Sequence, residues 1–404
     1  MTLNTAKIKY RRFLWACLAA AVIGLCGLTY REIKEQIPDQ VRVFAGKDPC
    51  WEQVFDNPLV TFDDAVETSG NGSYRMKCRL LGCIPLKTIK VTAVEEQEVY
   101  ASGSPVGIYM ETAGVLVIDC GQVRDADGIS RMPAEHIVQP GDYIRAVNGE
   151  VLTDKNRLME LVDGGDGQTM ELQVVRGGEE ITLALTPILT EDGTYKLGLW
   201  VRDNIQGIGT LTCVTGTGEF AALGHGISDI DTGERLEIED GELYHAQILS
   251  IQKGENGSPG ELRGVINYES SQKVGEIVQN TSNGIIGNLD SVQTCDMNLE
   301  KYQVGLKQEM EVGPASILCN VDGEVEEYAI EITDIDWNES DTNKSFVIHV
   351  TDSRLLEKTG GIVQGMSGSP VLQNGKLVGA VTHVFIQDST SGYGIFIENM
   401  LDLM

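Results

Sequence analysis

The chain has 404 residues, enough for two or three domains rather than one. Its 31 basic and 60 acidic residues give a net charge of −29, which is hostile to nucleic acid and to anionic lipid surfaces. Five histidines, no two at zinc-ligand spacing, exclude a sequence-local zinc site, and neither a metal nor a cofactor is expected.

Residues 1–12 carry Lys7, Lys9, Arg11 and Arg12 and no acid, and an apolar run follows from Phe13 to Leu28. A positive flank before an apolar stretch predicts export with the short tail left inside, and 13–30 is read as a signal-anchor helix. The run is borderline between a signal-peptide core and a spanning helix. No small-x-small cleavage site follows it, Cys17 comes too early for lipidation, and Leu25 precedes Cys26, so an uncleaved membrane anchor is favoured. Beyond residue 12 the chain holds 27 basic against 60 acidic residues, near −33, which suits a soluble ectodomain held beside a membrane. Cys50, Cys78, Cys83, Cys120, Cys213, Cys295 and Cys319 are odd in number and widely scattered, against a full disulfide framework. Cys78 and Cys83 are close enough to pair; the others read as small buried apolar residues.

Residues 31–96 read as a β-rich region, with period-two alternation at Gln40–Phe44 and Lys87–Val91. Residues 97–190 follow a different pattern. Pro140-Gly141-Asp142-Tyr143-Ile144-Arg145-Ala146-Val147-Asn148-Gly149 supplies two turns around core positions Ile144 and Val147. Lys155–Val162 is helical, and Thr169–Arg176 with Glu179–Thr186 forms a hairpin through Gly177-Gly178. This pattern resembles a PDZ domain, which binds extended peptides by strand addition. The resemblance implies a groove strand at Val106–Met110, with Val106, Gly107 and Ile108 as peptide-binding positions and Ser102–Pro105 where a carboxylate would enter.

Residues 191–404 alternate short apolar strands with Gly, Asn and Asp turns, among them Gly209–Val214, Ala315–Val321, Val325–Ile332 and Ser345–Val350. That spacing suits a β-barrel. Within it lies Gly360-Gly361-Ile362-Val363-Gln364-Gly365-Met366-Ser367-Gly368-Ser369-Pro370, followed by strand, tight hairpin and strand. This resembles the nucleophile loop of a chymotrypsin-like serine protease. Glycines on both sides of a serine allow the tight path that aims two N–H groups at one developing oxyanion. Ser367 is the expected nucleophile, and the N–H groups of Gly365 and Ser367 the expected oxyanion hole. The plain alternative is a Gly/Ser-rich surface turn. A serine needs a base, and His225, in Ala222-Leu223-Gly224-His225-Gly226, precedes Ser367 in the order such proteases use. His136, His245, His349 and His383 fit less well. Asp352 is a candidate to orient the imidazole, but Thr351 or Asp352 also reads as the cap of a short helix ending at Gly360. Asp229, Asp231 and Asp290 lie between base and nucleophile and stay open.

The anchor, a PDZ segment ahead of the protease, Gly224-His225-Gly226 and Thr359–Pro370 together resemble the stage IV sporulation protein B peptidase family of endospore-forming bacteria. Leu81–Lys87, Ser258–Glu261, Asn280–Gly287, Gly313–Ala315 and Gly379–Phe385 extend the likeness over nearly the whole chain. The resemblance implies a mainly β, membrane-anchored serine endopeptidase acting between the forespore and mother-cell membranes. It would cleave a regulatory subunit of an intramembrane protease complex, cleave itself, and so activate a mother-cell sigma factor. The family's serine falls on Ser367, its histidine on His225 and its proposed aspartate on Asp352. The competing readings are a membrane-tethered PDZ scaffold with an inactive protease fold, and a general quality-control protease, in which the protease precedes the PDZ domain.

Overall fold

The computed structural model describes residues 2–45, 57–63, 67–69, 73–255, 257–292, 297–338 and 342–404. Cys50 and Cys295 lie outside the described residues. The chain forms two compact units, and most of it is β-strand.

The first unit comprises residues 1–97 with 305–312 and 334–341. Thr2–Gln36 is one helix, stopped where Ile37-Pro38 cannot continue it. Its apolar part is long enough to cross a membrane and is not covered by the protein. Orphan carbonyls at the helix end are satisfied by Asn338, whose Nδ2 donates to Glu35 O and Ile37 O at 2.8 Å each, and by Lys87 Nζ, 2.7 Å from Ile37 O. The expected β-rich region is a five-stranded sheet. Gln40–Phe44 pairs in parallel with Ile84–Val94, which pairs with Ser73–Leu80, which in turn takes Val60–Phe62 and Glu67–Ser69. Ile33 and Ile37 of the helix close its core with Val41, Met76, Cys78, Ile89 and Val91. Cys78 is buried there, whereas Cys83 is exposed and neither forms a disulfide. The pairing that their spacing allows is therefore absent, because alternation sends Cys78 into the core.

The second unit comprises residues 98–304, 313–333 and 342–404. Two 16-residue strands, Pro105–Cys120 and Leu199–Val214, run antiparallel through most of their length and join the expected PDZ and peptidase segments. At Gly114 (φ +104°) the first strand passes from one core to another, and a side chain there would lie 2.8 Å from Ile144 O. Before that point Val106, Ile108 and Met110 pack with Leu211, Phe220, Leu243 and Ile285. After it, Val115 and Val117 pack with Ile144, Val147, Leu158, Val162, Leu172 and Val174. The second core is the one the PDZ pattern predicts, with its helix at Lys155–Gly164 capped by Asp154 and its hairpin at Met170–Arg176 and Glu179–Leu185.

The expected groove strand has to be corrected. Val106, Gly107 and Ile108 pair with Gly209, Ile208 and Gly207 on one side and with His245, Tyr244 and Leu243 on the other. Both edges are filled, so no peptide can add there. A third core, of Val99, Cys213, Ala221, Leu318, Leu372, Leu377, Ala380 and Ile395, underlies the strands that carry the serine loop.

Candidate active site

Ser367 lies in a short loop that glycines shape at both ends. Gly365 has φ +98° and Gly368 φ +95°, conformations that other residues rarely adopt. A Cβ on Gly368 would lie 2.2 Å from Thr210 O and 2.6 Å from Leu223 N, so only glycine lets the loop meet that backbone. Thr210 and Thr212, on one face of Leu199–Val214, clamp the loop. Thr210 N–H donates to Ser367 O (3.1 Å), Thr210 Oγ1 to Gly365 O (2.8 Å) and Thr212 Oγ1 to Gly368 O (2.8 Å). The approach to the loop is held by Gly260–Leu262, through Gln364 N–H to Gly260 O and Leu262 N–H to Gln364 O, both 2.8 Å. Met366 N–H and Gly368 N–H are bonded to Val363 O and Val381 O. Among the described residues, no bond engages the N–H of Gly365 or of Ser367, the two expected oxyanion donors. The Ser367 hydroxyl donates to Thr382 O at 2.7 Å.

His225 follows the strand Glu219–Ala222 through Leu223 and Gly224, each at φ +71°. A left-handed leucine is uncommon, and here it is fully packed in the barrel core. Gly224 presses against Thr382, whose Cγ2 a new Cβ would meet at 2.9 Å. The same residue thus contacts the histidine turn through its side chain and the serine through its carbonyl. Asn280 holds the outgoing chain, accepting from Ile227 N–H and donating to Ile227 O and Leu236 O at 2.8–3.0 Å.

His225 Nδ1 stands 2.9 Å from Gly226 O. A carbonyl only accepts, so the proton is on Nδ1 and Nε2 carries the basic lone pair. Burial pushes the imidazole pKa below its usual value, which keeps the ring neutral. The ring lies against His383, with centroids 4.7 Å apart.

The structure gives Asp352 a different role from orienting this ring. It is the N-cap of the helix Ser353–Thr359, accepting from Arg354 N–H (2.9 Å), Ala329 N–H (3.2 Å) and the Arg354 guanidinium. These partners hold its carboxyl down to about 2, and none of its bonds reaches a histidine. The helix closes at Gly360, φ +75°, as the capping pattern predicts. The other acids are also committed elsewhere or exposed. Asp229 is buried with the Arg202 guanidinium and the N–H groups of Asp231 and Thr232; Asp231 pairs with Arg202 at 3.0 Å; Asp290 is exposed. Gly226 O is the partner this structure gives to His225 Nδ1, the nitrogen that a carboxylate engages in a Ser-His-Asp triad.

Of the remaining histidines, His349 bonds Ser391 Oγ (3.0 Å), His245 pairs with Val106, and His136 is exposed. Thr382, Asn280 and Gly226 are neighbours that sequence reasoning missed, and His383, weighed there only as a weaker base, was not expected beside His225. For His383 the available signal was its place on the strand paired with the one leaving Ser367. Among the described residues no cluster of three metal-binding side chains occurs.

The family described as SpoIVB peptidase S55 matches residues 193–401, just over half of the chain. Protease Do-like 7 of Arabidopsis thaliana is 36% identical over 92 residues, covering 23% of this chain and 7% of that protein. The pro-apoptotic serine protease nma111 of Aspergillus oryzae is 32% identical over 89 residues, covering 19% of this chain and 9% of that protein. The chain therefore spans less than a tenth of the length of either relative. Among solved structures, the PDZ domain of an SdrC-like protein of Listeria monocytogenes is 19% identical, with a TM-score of 0.19, covering 22% of this chain and 87% of that one.

Proposed function

The chain belongs to the SpoIVB peptidase S55 family and is a serine peptidase, and from that premise we propose that Ser367 and His225 work as a dyad. The observation that carries this reading is the contact of the serine loop with the histidine turn at Gly368, where any Cβ would lie 2.6 Å from Leu223 N. For attack, the Ser367 hydroxyl leaves Thr382 O by rotation about χ1 and gives its proton to His225 Nε2. The oxygen then bonds the scissile carbonyl carbon. The carbonyl oxygen, now negative, takes hydrogen bonds from the N–H groups of Gly365 and Ser367, and the protonated imidazole returns its proton to the leaving amine. Gly226 O orients the ring and stabilises the imidazolium as it forms. The acyl-enzyme is released by water through the same proton relay.

The peptide groove belongs on the outer edge of Leu199–Asp203. That stretch pairs with Leu116–Cys120 on one side, and Lys155 at the start of the PDZ helix bonds Asp203 through both its N–H and its Nζ. Leu197-Gly198-Leu199 leads into it, with Gly198 at φ +69°. A peptide held there is kept at high effective concentration near the active site. The family's biology gives the wider assignment. The protein is anchored by its N-terminal helix between the two sporulation membranes, cleaves a regulatory subunit of an intramembrane protease complex, and cleaves itself.

One observation favours the inactive-scaffold reading, namely that the serine proton rests on a carbonyl and not on the histidine. Trp200→Asp in the groove strand separates binding from chemistry. It should slow cleavage of a protein substrate far more than labelling of Ser367 by a small fluorophosphonate. Equal loss of both would remove the tethering role.

A further inference from the structure

The hairpin between Ser73–Leu80 and Ile84–Val94 ends in a turn whose chemistry is unusual for a protein surface. Cys83 N–H donates to Leu80 O at 3.2 Å, and the two central residues, Leu81 (φ +52°) and Gly82 (φ +72°), are both left-handed. This turn type favours Asn-Gly or Gly-Gly, because a branched apolar side chain is strained at positive φ. The chain nevertheless places leucine there, 64% exposed. Ile84 and Leu59, whose carbonyl accepts from Leu81 N–H, are each 45% exposed beside it, and Cys83 is exposed too.

The anchor helix fixes where this tip lies. Tyr30 Oη donates to Pro85 O at 2.8 Å, one residue beyond Ile84. Tyr10 and Tyr30 are twenty residues apart on one helix, about 30 Å, the thickness of a bilayer's hydrocarbon core. Tyrosines favour the two interfaces. The bond to Tyr30 therefore sets the hairpin tip at the level where the helix leaves the lipid. The local charge agrees. Residues 73–94 hold Arg75, Lys77, Arg79, Lys87 and Lys90 and no acid, in a chain of net charge −29. Arg79 is paired with Asp63 and Lys87 with Asp39, each at 2.8 Å, while Arg75, Lys77 and Lys90 are exposed, Lys77 nearest the tip in sequence.

We propose that Leu81, Cys83 and Ile84 dip into the head-group region of the membrane that holds the anchor helix, with Lys77 facing anionic lipid. Contact at this hairpin would fix the rotation of the first unit about the anchor. The proposal rests on the anchor reading, and the test separates the two.

The full chain, with Cys17→Ala and Cys26→Ala, is placed in nanodiscs and labelled with a thiol-reactive NBD dye; a Cys83→Ser version serves as blank. Emission from position 83 should be blue-shifted and quenched by lipids spin-labelled near the head group. Quenching should strengthen with phosphatidylglycerol and be lost in Leu81→Asn/Ile84→Asn, in which asparagine suits the turn and the fold is kept. Water-like, unquenched emission from a chain that has entered the discs would overturn the proposal while leaving the anchor intact. Equal quenching with and without phosphatidylglycerol would overturn the role given to Lys77. A chain that does not enter the discs would refute both.

Discussion

Two turns of this molecule share a sequence and a conformation but not an environment. Leu223-Gly224 and Leu81-Gly82 both place a leucine and then a glycine at positive φ. Leu223 is buried in the barrel core at the approach to His225, while Leu81 is 64% exposed at the tip of a hairpin. A left-handed leucine costs roughly 1–2 kcal/mol in either place. Burying a leucine side chain contributes about 1.5–3 kcal/mol, so at residue 223 packing offsets the strain. At residue 81 the side chain is 64% exposed, and burial among the described residues does not offset it. The same local strain thus marks the turn proposed to be catalytic in one unit and the surface proposed to meet lipid in the other.

Leu223→Asn should break the comparison most severely. It relieves φ but removes a buried side chain, and a loss of about 2–5 kcal/mol in chemical denaturation is expected, with activity falling as His225 is released. Leu81→Asn makes the same exchange without that penalty, and unchanged stability in Leu223→Asn would mean that the catalytic turn is not held by packing.

Gly224→Ala should come next. Its Cβ would meet Thr382 and Ile395 at 2.9 Å, and displacing the histidine turn by a fraction of an ångström should lower kcat by about 10–100-fold. Gly82→Ala, whose Cβ meets only Thr61 Oγ1 at 3.8 Å, should leave kcat on a small substrate unchanged and cost about 1 kcal/mol of local strain.

Asp352→Ala should lower stability by about 1 kcal/mol, the usual worth of an N-cap. Native Asp352 titrates at about 2, below the ~3.9 of an unfolded aspartate, so the unfolded chain takes up the proton first on acidification. The stabilisation is present above about pH 4 and is lost as pH falls towards 2; the variant should lack that part of the acid transition. Thermal melts from pH 2 to 7 read both.

The smallest effect belongs to Leu81→Asn in detergent, where stability should rise by a few tenths of a kcal/mol to about 1 kcal/mol. A fall would show that Leu81 is held by the protein itself.

Much of this was legible in the sequence. The glycine frames of Ser367 and His225 were readable because glycine alone permits the backbone approach at Gly368 and suits the left-handed φ of Gly224 packed against Thr382 and Ile395. The helix after Asp352 was readable from its cap and from Gly360, and that cap reading is the role the structure gives the residue. Alternation showed that Val106–Ile108 is a strand but not that both its edges are filled, since pairing partners about 100 and 135 residues away leave no local trace. The Gly226 carbonyl was invisible for a simpler reason: every residue has one.

The dyad is tested most directly by mapping fluorophosphonate labelling on the full chain by mass spectrometry, as a function of pH. The adduct should form on Ser367, persist in Ser369→Ala and Asp352→Asn, and vanish in His225→Ala, whose peptidase activity should match that of Ser367→Ala, down on the order of a million-fold. Because burial lowers the His225 pKa, labelling should hold down to a pH below ~6.5 and fall only as the ring is protonated. An adduct on Ser369, or labelling lost in folded Asp352→Asn as completely as in His225→Ala, would contradict the account.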